Sequence, residues 1–185
     1  MSSTDLQHLY NKAWLFASRA HVGQMMKGSN LPYTTHVAMV ANELIFADRE
    51  SDIGDLAIAM AAALLHDVIE DTAASEEALT EVFGAAVAST VACLSKNLIV
   101  PFSDERYFQA IAAHSLEAAA IKLCDRITNL QSAPSTWSLE KRASYHEESA
   151  QILAALGRTN DYLNQRLSEA MARYKSLYVD QQREI

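Results

Sequence analysis

Residues 56–72 read LAIAMAAALLHDVIEDT, and this stretch decides the fold class. Ten apolar residues stand in a row from Leu56 to Leu65, whereas a helix that crosses a membrane needs about 18. A helix that is apolar on all sides must be enclosed by other elements of the same protein. We therefore predict a buried central helix over 56–69, in a protein that has no membrane partner.

The rest of the chain is poor in residues that make turns. Five glycines and three prolines are about 4 % of the 185 residues, against roughly 12 % in average proteins. Because a β-sandwich or a barrel needs many tight turns, this composition predicts an all-α protein. Half of the residues are hydrophobic, which is enough for a substantial core and argues against disorder.

Around the central helix, apolar residues recur with the helical period in eight further segments. Ser75 is expected to cap the fourth helix, which should end near Gly84. No repeat or linker interrupts the chain, so we expect one domain over residues 1–185. The predicted helices cover 5–20, 33–47, 56–69, 75–84, 85–94, 105–114, 118–130, 139–156 and 160–178, and the predicted loops 23–31, 97–103 and 131–136.

Charge and cysteine usage exclude several classes of protein. The net charge of −8 argues against a nucleic-acid binder, which needs a basic surface, but leaves room for a small phosphorylated ligand held by a few local cations. Two cysteines are too few for a disulfide framework, and the polar N-terminus lacks the apolar core of a signal peptide. We expect a cytoplasmic protein, and the acidic helical pair at 139–178 leaves a homodimer open.

Four ionisable side chains follow the apolar run of the central helix. They are His66, Asp67, Glu70 and Asp71, and on a continuous helix His66 would share a stripe with Glu70, and Asp67 with Asp71. Burying unpaired charge costs several kcal/mol, so these groups need a metal, a partner or water. The alternative is a helix end frayed into solvent, where the last two residues are only surface charge.

Two further polar residues stand on apolar helical stretches and extend this cluster. His36 lies on the second predicted helix, and Asp125 follows the apolar run of residues 118–124. Three helices could therefore direct His36, His66, Asp67 and Asp125 into one interhelical pocket. Two imidazoles and two carboxylates form a site suited to Mn, Fe or Zn.

The spacing of these residues resembles the HD superfamily of metal-dependent phosphohydrolases, and longer motifs resemble its alarmone hydrolases. The similarity covers about residues 8–178, and includes a Glu-Asp pair that other HD enzymes usually lack. It implies a compact HD-like bundle of about eight to ten helices. The motifs that carry the resemblance are FASRAH at 16–21, Lys27, PYTTH at 32–36, AALLHDVIEDT at 62–72, FG at 83–84, KLCDRITNL at 122–130 and WS at 137–138.

The resemblance also implies an activity and the residues that carry it. Such enzymes remove pyrophosphate from the ribose 3′ position of ppGpp or pppGpp, usually with Mn²⁺. The implied metal ligands are His36, His66, Asp67 and Asp125. The pair implied to activate and orient the attacking water is Glu70 and Asp71. The residues implied to line the substrate pocket are Arg19, Lys27, Tyr33, Lys96 and Asn129.

General chemistry agrees with this assignment. A bound divalent ion lowers the pKa of water and polarises a phosphoryl oxygen, and a carboxylate nearby can take the proton. Local lysines can offset the phosphate charge that an acidic protein would otherwise repel.

One departure from the family concerns recognition of the base. Met25 and Met26 stand where the family often has an arginine, and methionine offers a soft apolar contact without charge. An adenosine alarmone such as pppApp is therefore an alternative substrate to the guanosine one.

Two other functions stay open at this point. The first is a different HD phosphohydrolase that acts on a simple mononucleotide. The second is a catalytically silent protein that binds nucleotides or serves as a scaffold. The Glu-Asp pair, Lys27 and Asn129 favour the alarmone hydrolase, and all four ligand positions are filled.

Overall fold

The computed structural model describes residues 2–180 of the chain. Within them, loops connect ten α-helices and two short 3₁₀ turns. Within these residues β pairing is limited to one isolated bridge between Met25 and Pro32, so the prediction of an all-α fold is confirmed. The helices are α1 (Ser3–Ala20), α2 (Thr34–Glu50), α3 (Leu56–Leu65), α4 (Val68–Asp71), α5 (Glu76–Phe83), α6 (Ala85–Leu94), α7 (Asp104–His114), α8 (Leu116–Asn129), α9 (Leu139–Leu156) and α10 (Asp161–Tyr178).

Short polar side chains set most of the helix starts. Asp55 accepts from the backbone of Ala57 and Ile58 at the start of α3, and Ser75 caps α5 as predicted. Ser115 caps α8, so that helix begins at Leu116, two residues before the predicted start. The predicted bounds of α6 and α9 match the observed ones, and the others differ by a few residues.

The prediction of one continuous central helix over 56–69 is wrong. Helix α3 ends at Leu65, His66 and Asp67 form a turn, and α4 starts at Val68. The Ala63 carbonyl, which in a continuous helix would accept from the backbone of Asp67, lies 2.8 Å from Nδ1 of His66. A side-chain bond thus replaces a backbone one at the end of α3.

Helix α3 lies at the centre of the molecule, as its apolar sequence requires. All of its residues from Ala59 to Leu65 are buried, and it packs against α1, α2, α6 and α8. Helix α8 is buried from Ala118 to Thr128, which places Lys122 and Asp125 inside the protein. The start of α2, the end of α3 and the middle of α8 therefore lie close to one another.

Two loops form a wall beside this junction. The segment 21–33 joins α1 to α2, and the segment 130–138 joins α8 to α9. Gly28 has a φ of +75°, and a Cβ at this position would lie 2.9 Å from Cβ of Pro134. Only glycine allows the two loops to approach this closely.

No helix within residues 2–180 is both long enough and apolar enough to cross a membrane.

Candidate active site

Three side chains meet where α2 approaches the turn after α3. Nε2 of His66 lies 3.3 Å from Nε2 of His36 and 2.9 Å from Oδ2 of Asp67. Nε2 of His36 lies 3.8 Å from Oδ2 of Asp67. Both histidines are buried, and Asp67 is partly buried. Residues that are 30 positions apart in the chain thus direct their polar atoms to one point.

Asp125 joins this group from α8. Its Oδ1 lies 3.3 Å from Nε2 of His36 and 3.9 Å from Nε2 of His66. The structure therefore brings together all four side chains in which the sequence analysis expected metal ligands. We refer to His36, His66, Asp67 and Asp125 as the HHDD cluster.

Hydrogen bonds from neighbouring groups orient the members of the cluster. The Nδ1–H of His66 donates to the Ala63 carbonyl at 2.8 Å, so Nε2 is the ring nitrogen that faces the cluster. The Tyr33 hydroxyl donates to Asp67. Protein metal sites commonly hold their ligands through such outer contacts.

Asp125 has two donors of its own on α8. Nζ of Lys122 lies 2.8 Å from Oδ2, and the amide nitrogen of Asn129 lies 2.5 Å from Oδ1. Asn129, predicted to contact substrate, thus also orients a member of the cluster.

The electrostatic field inside the cluster favours positive charge. Burial alone would lower the pKa of the His66 imidazole, but Asp67 and Asp125 outweigh it and raise this pKa to about 9. Burial would likewise raise the pKa of the Asp67 carboxyl, yet His66 lowers this pKa to about 2. Burial also opposes ionisation of Asp125, whose pKa is held well below its usual value chiefly by Lys122.

These features fit a divalent cation. Two ligands of one ion, each at about 2.1 Å, can be at most about 4.2 Å apart, and the distances between the two histidines and from each histidine to each carboxylate lie within this limit. The ligand atoms of His36, His66 and Asp67 all lie within 4.8 Å of one another, and Asp125 joins this group through its contacts with the two histidines. Two imidazole nitrogens and two carboxylates are a donor set for a borderline-hard metal. Such an ion would offset the negative charge that the two carboxylates place inside the protein.

The acidic pair lies at the edge of the same site. Oε2 of Glu70 accepts from the backbone N–H of Lys96 at 2.8 Å, and Oδ2 of Asp71 accepts from the amide of Gln24 at 2.8 Å. Each carboxylate is therefore held by a different loop.

The HHDD cluster and the acidic pair line one cavity of about 380 Å³, which is within the usual range for small-molecule sites. Four of the five predicted substrate contacts also line it, namely Lys27, Tyr33, Lys96 and Asn129. Arg19 does not. Its side chain is exposed and borders a separate shallow depression together with Phe16 and residues 72–74. Arg19 lies in the last turn of α1, on a side that does not face the cavity.

Several lining residues had not been assigned from the sequence. Lys122 and Arg126 are buried cations on the cavity wall. Behind them, Glu148 is not itself a lining residue but forms ion pairs with Arg126 at 2.7 Å and with Lys96 at 3.5 Å. The available signal was the position of Lys122, three residues before Asp125 and four before Arg126, because residues three or four apart share a helix face. Glu148 is far away in the sequence and gave no signal.

Aromatic side chains make another part of the wall. Trp137 and Tyr145 pack edge to face with ring centroids 5.0 Å apart. The Arg126 guanidinium lies 4.1 Å from the centroid of the Tyr145 ring. With Met25 and Met26 on the facing loop, the cavity combines an apolar part with a charged part.

Comparison with protein families matches residues 13–162 to the HD domain. The zebrafish (Danio rerio) protein MESH1, named a guanosine-3′,5′-bis(diphosphate) 3′-pyrophosphohydrolase, is 34 % identical over 161 residues, which are 83 % of this chain and 87 % of MESH1. Human MESH1 is 33 % identical over 159 residues, with shares of 82 % and 87 %.

A bacterial relative is much longer than this chain. The bifunctional (p)ppGpp synthase/hydrolase SpoT of Escherichia coli is 35 % identical over 153 residues, which are 78 % of this chain and 21 % of SpoT. Among solved structures, a metazoan ortholog of SpoT described as hydrolysing ppGpp superimposes with a TM-score of 0.79 at 29 % identity. The match covers 94 % of this chain and 96 % of that one.

Proposed function

The chain belongs to the HD domain family, and from this membership we propose that it is a metal-dependent 3′-pyrophosphohydrolase of (p)ppGpp. The observation that carries the proposal is the single cavity that holds the HHDD cluster and the Glu70–Asp71 pair together. The relatives whose full length the chain nearly spans are named for this reaction, which supports it further.

The reaction transfers the pyrophosphoryl group from the ribose 3′ oxygen to water. The bond between this oxygen and the adjacent phosphorus breaks, giving pyrophosphate and a nucleotide with a free 3′ hydroxyl. His36, His66, Asp67 and Asp125 would hold the divalent cation, which when bound acidifies water and polarises a phosphoryl oxygen.

The remaining steps belong to the protein's own side chains. Glu70 is held through Oε2 by the backbone of Lys96, which leaves Oε1 to take a proton from the attacking water. Asp71, on the same short helix, orients that water. Lys27, Lys96, Lys122 and Arg126 line the cavity and offset the charge of the substrate phosphates.

We propose Mn²⁺ as the metal. Mixed imidazole and carboxylate ligands suit a first-row cation of intermediate softness. Binding of Mn²⁺, Zn²⁺ and Mg²⁺ to the purified protein, followed by turnover with each metal, tests this choice.

We place the activity in the cytoplasm. Cys93 and Cys124 are both free, and burial raises the pKa of the Cys93 thiol to about 11. Unpaired thiols are typical of a reducing compartment. Fractionation of the native cells with an antibody to the protein tests the location.

The substrate is tested by comparing ppGpp with ppApp in the presence of Mn²⁺ and identifying the products. Release of pyrophosphate and GDP from ppGpp supports the proposal. Faster turnover of ppApp would favour the adenosine alternative. The reason for considering it is that Met25 and Met26 line the cavity, and the names of the relatives do not support it. Orthophosphate from a 5′-mononucleotide, with no attack on either alarmone, would indicate a different phosphohydrolase.

A further inference from the structure

One glutamine connects the loop after α1 to the acidic pair. Oε1 of Gln24 lies 2.7 Å from Nδ1 of His21, and its Nε2 lies 2.8 Å from Oδ2 of Asp71. His21 is buried, Gln24 is half-buried, and Asp71 is exposed. The amide thus spans the distance from a fixed ring inside the protein to a carboxylate at the edge of the cavity.

The direction of each bond follows from the chemistry of the groups. An ionised carboxylate only accepts hydrogen bonds, so the NH₂ side of the amide must face Asp71. The carbonyl side then faces His21, whose Nδ1 must carry the hydrogen. The other ring nitrogen, Nε2, is buried and has no hydrogen-bond partner in the described part of the chain.

Backbone bonds hold Gln24 itself in place. Its N–H donates to the His21 carbonyl at 3.0 Å, and its carbonyl accepts from the N–H of Tyr33 at 2.9 Å. The His21 ring also packs against the Tyr33 ring, with centroids 4.9 Å apart. The position of the amide is therefore defined from both ends of the loop.

Asp71 needs such a support. It is the last residue of α4, a helix of one turn, and Gln24 is the only hydrogen-bond donor to its side chain within residues 2–180. An exposed aspartate without this bond would exchange between rotamers. A carboxylate that orients water must instead stay in one geometry, because a displacement of about 1 Å can reduce the rate about 100-fold.

We propose that Gln24 is a positioning residue for the hydrolytic reaction, and that its amide, anchored by His21, holds the Asp71 carboxylate toward the attacking water. This inference rests on the proposed function. It assigns Gln24 no contact with substrate or metal in that role.

The test is a double-mutant cycle of Gln24→Met and Asp71→Ala in the Mn²⁺-loaded protein, since alanine has no side-chain acceptor for the Gln24 amide. Gln24→Met keeps the length of the side chain and removes both hydrogen bonds. Gln165→Met is the matched control, since the amide of Gln165 donates to the carboxylate of Glu169 at 2.9 Å on the exposed surface of α10.

We expect Gln24→Met to lower kcat about 10- to 100-fold with KM and Mn²⁺ affinity unchanged, and Gln165→Met to change nothing. In the Asp71→Ala background, Gln24→Met should cause no further loss. A kcat equal to that of the wild type, or an equal fold-loss in both backgrounds, would overturn the proposal.

A second measurement does not depend on activity. Nitrogen-15 NMR of labelled histidine should show hydrogen on Nδ1 of His21 in the wild-type protein. The His21 signal should change in Gln24→Met and stay the same in Gln165→Met. If Nδ1 of His21 carries no hydrogen, it must accept from the NH₂ group of Gln24, and the amide oxygen then faces Asp71. Such an amide cannot donate to the carboxylate, and this result would refute the positioning role. If the wild-type protein cleaves no alarmone, the proposed function fails, while the NMR result still decides whether the contact exists.

Discussion

Nε2 of His66 lies 2.9 Å from Oδ2 of Asp67, although neighbouring residues on a regular α-helix point about 100° apart. The contact lies at the break between α3 and α4, where His66 keeps helical angles (φ −55°, ψ −31°) but Asp67 departs from them (φ −103°, ψ 0°). Leu64 and Leu65 stay buried on one side of the break, and the acidic pair follows on the other. One interruption thus presents His66, Asp67 and the acidic pair to the cavity.

Replacing Asp125 with Ala should abolish Mn²⁺ binding and activity together. It should also lower the free energy of unfolding of the metal-free protein by about 3–5 kcal/mol, because Lys122 would keep a buried charge without its partner. Adding Lys122→Met should recover part of that stability without restoring metal. Isothermal titration with Mn²⁺ and urea unfolding measure the two effects, and retained metal binding would contradict the role of Asp125 as a ligand.

Replacing Glu70 with Gln should spare Mn²⁺ binding and reduce kcat by about 100- to 10,000-fold, the usual contribution of a general base. The amide oxygen can still accept from the backbone of Lys96, so the loop should keep its place. Glu81→Gln, at an exposed position of α5, is the control. Steady-state kinetics decide the outcome, and an unchanged kcat excludes Glu70 as the base.

Replacing Tyr33 with Phe removes the hydroxyl that donates to Asp67 and leaves the ring in place. Burial and the nearby Asp67 raise the pKa of this phenol above its ordinary value, so the hydroxyl is a permanent donor. We expect Mn²⁺ affinity to fall about 10- to 100-fold, as for other outer contacts of metal ligands. Tyr162→Phe serves as the control, and equal affinities in the two variants would show that the contact does not support the metal.

Local sequence predicted most of the helices and the chemical types in the site. Apolar periodicity and caps such as Ser75 are local signals, and they located α5, α6 and α9 closely. His36, His66 and Asp125 were recognisable because each is a polar residue attached to an apolar stretch that must be buried. These inferences needed no knowledge of which helices are neighbours.

Other features depend on tertiary contacts and had no local signal. The break after Leu65 depends on the bond from His66 to Ala63, and periodicity alone predicts a continuous helix there. The link from Gln24 to Asp71 joins residues 47 positions apart. Arg19 was expected at the cavity because of its place in a motif, whereas the orientation of α1 directs it to another surface.

Replacing Lys96 with Met should raise KM for ppGpp about 10-fold, which corresponds to about 1.4 kcal/mol, and leave kcat nearly unchanged. The backbone N–H that bonds to Glu70 is retained, so only the cationic side chain near Glu148 is lost. Salt screens the attraction between the Lys96 ammonium and the substrate phosphates, and the variant lacks this attraction. Added salt should therefore raise KM less in the variant than in the wild-type protein. Lys175→Met, on the exposed end of α10, is the control, and identical salt dependence would contradict the assignment.

Replacing Gly28 with Ala should disturb the wall between the two loops. A φ of +75° costs a non-glycine residue about 1–2 kcal/mol, and the new Cβ would meet Pro134 at 2.9 Å. Gly23→Ala is the matched control, since its φ is +81° in the same loop but no atom lies within 4 Å of an added Cβ. Both variants should lose stability in thermal unfolding, whereas only Gly28→Ala should raise KM, because Pro134 lines the cavity and must move. The same KM in the two variants would show that contact between these loops does not shape the substrate site.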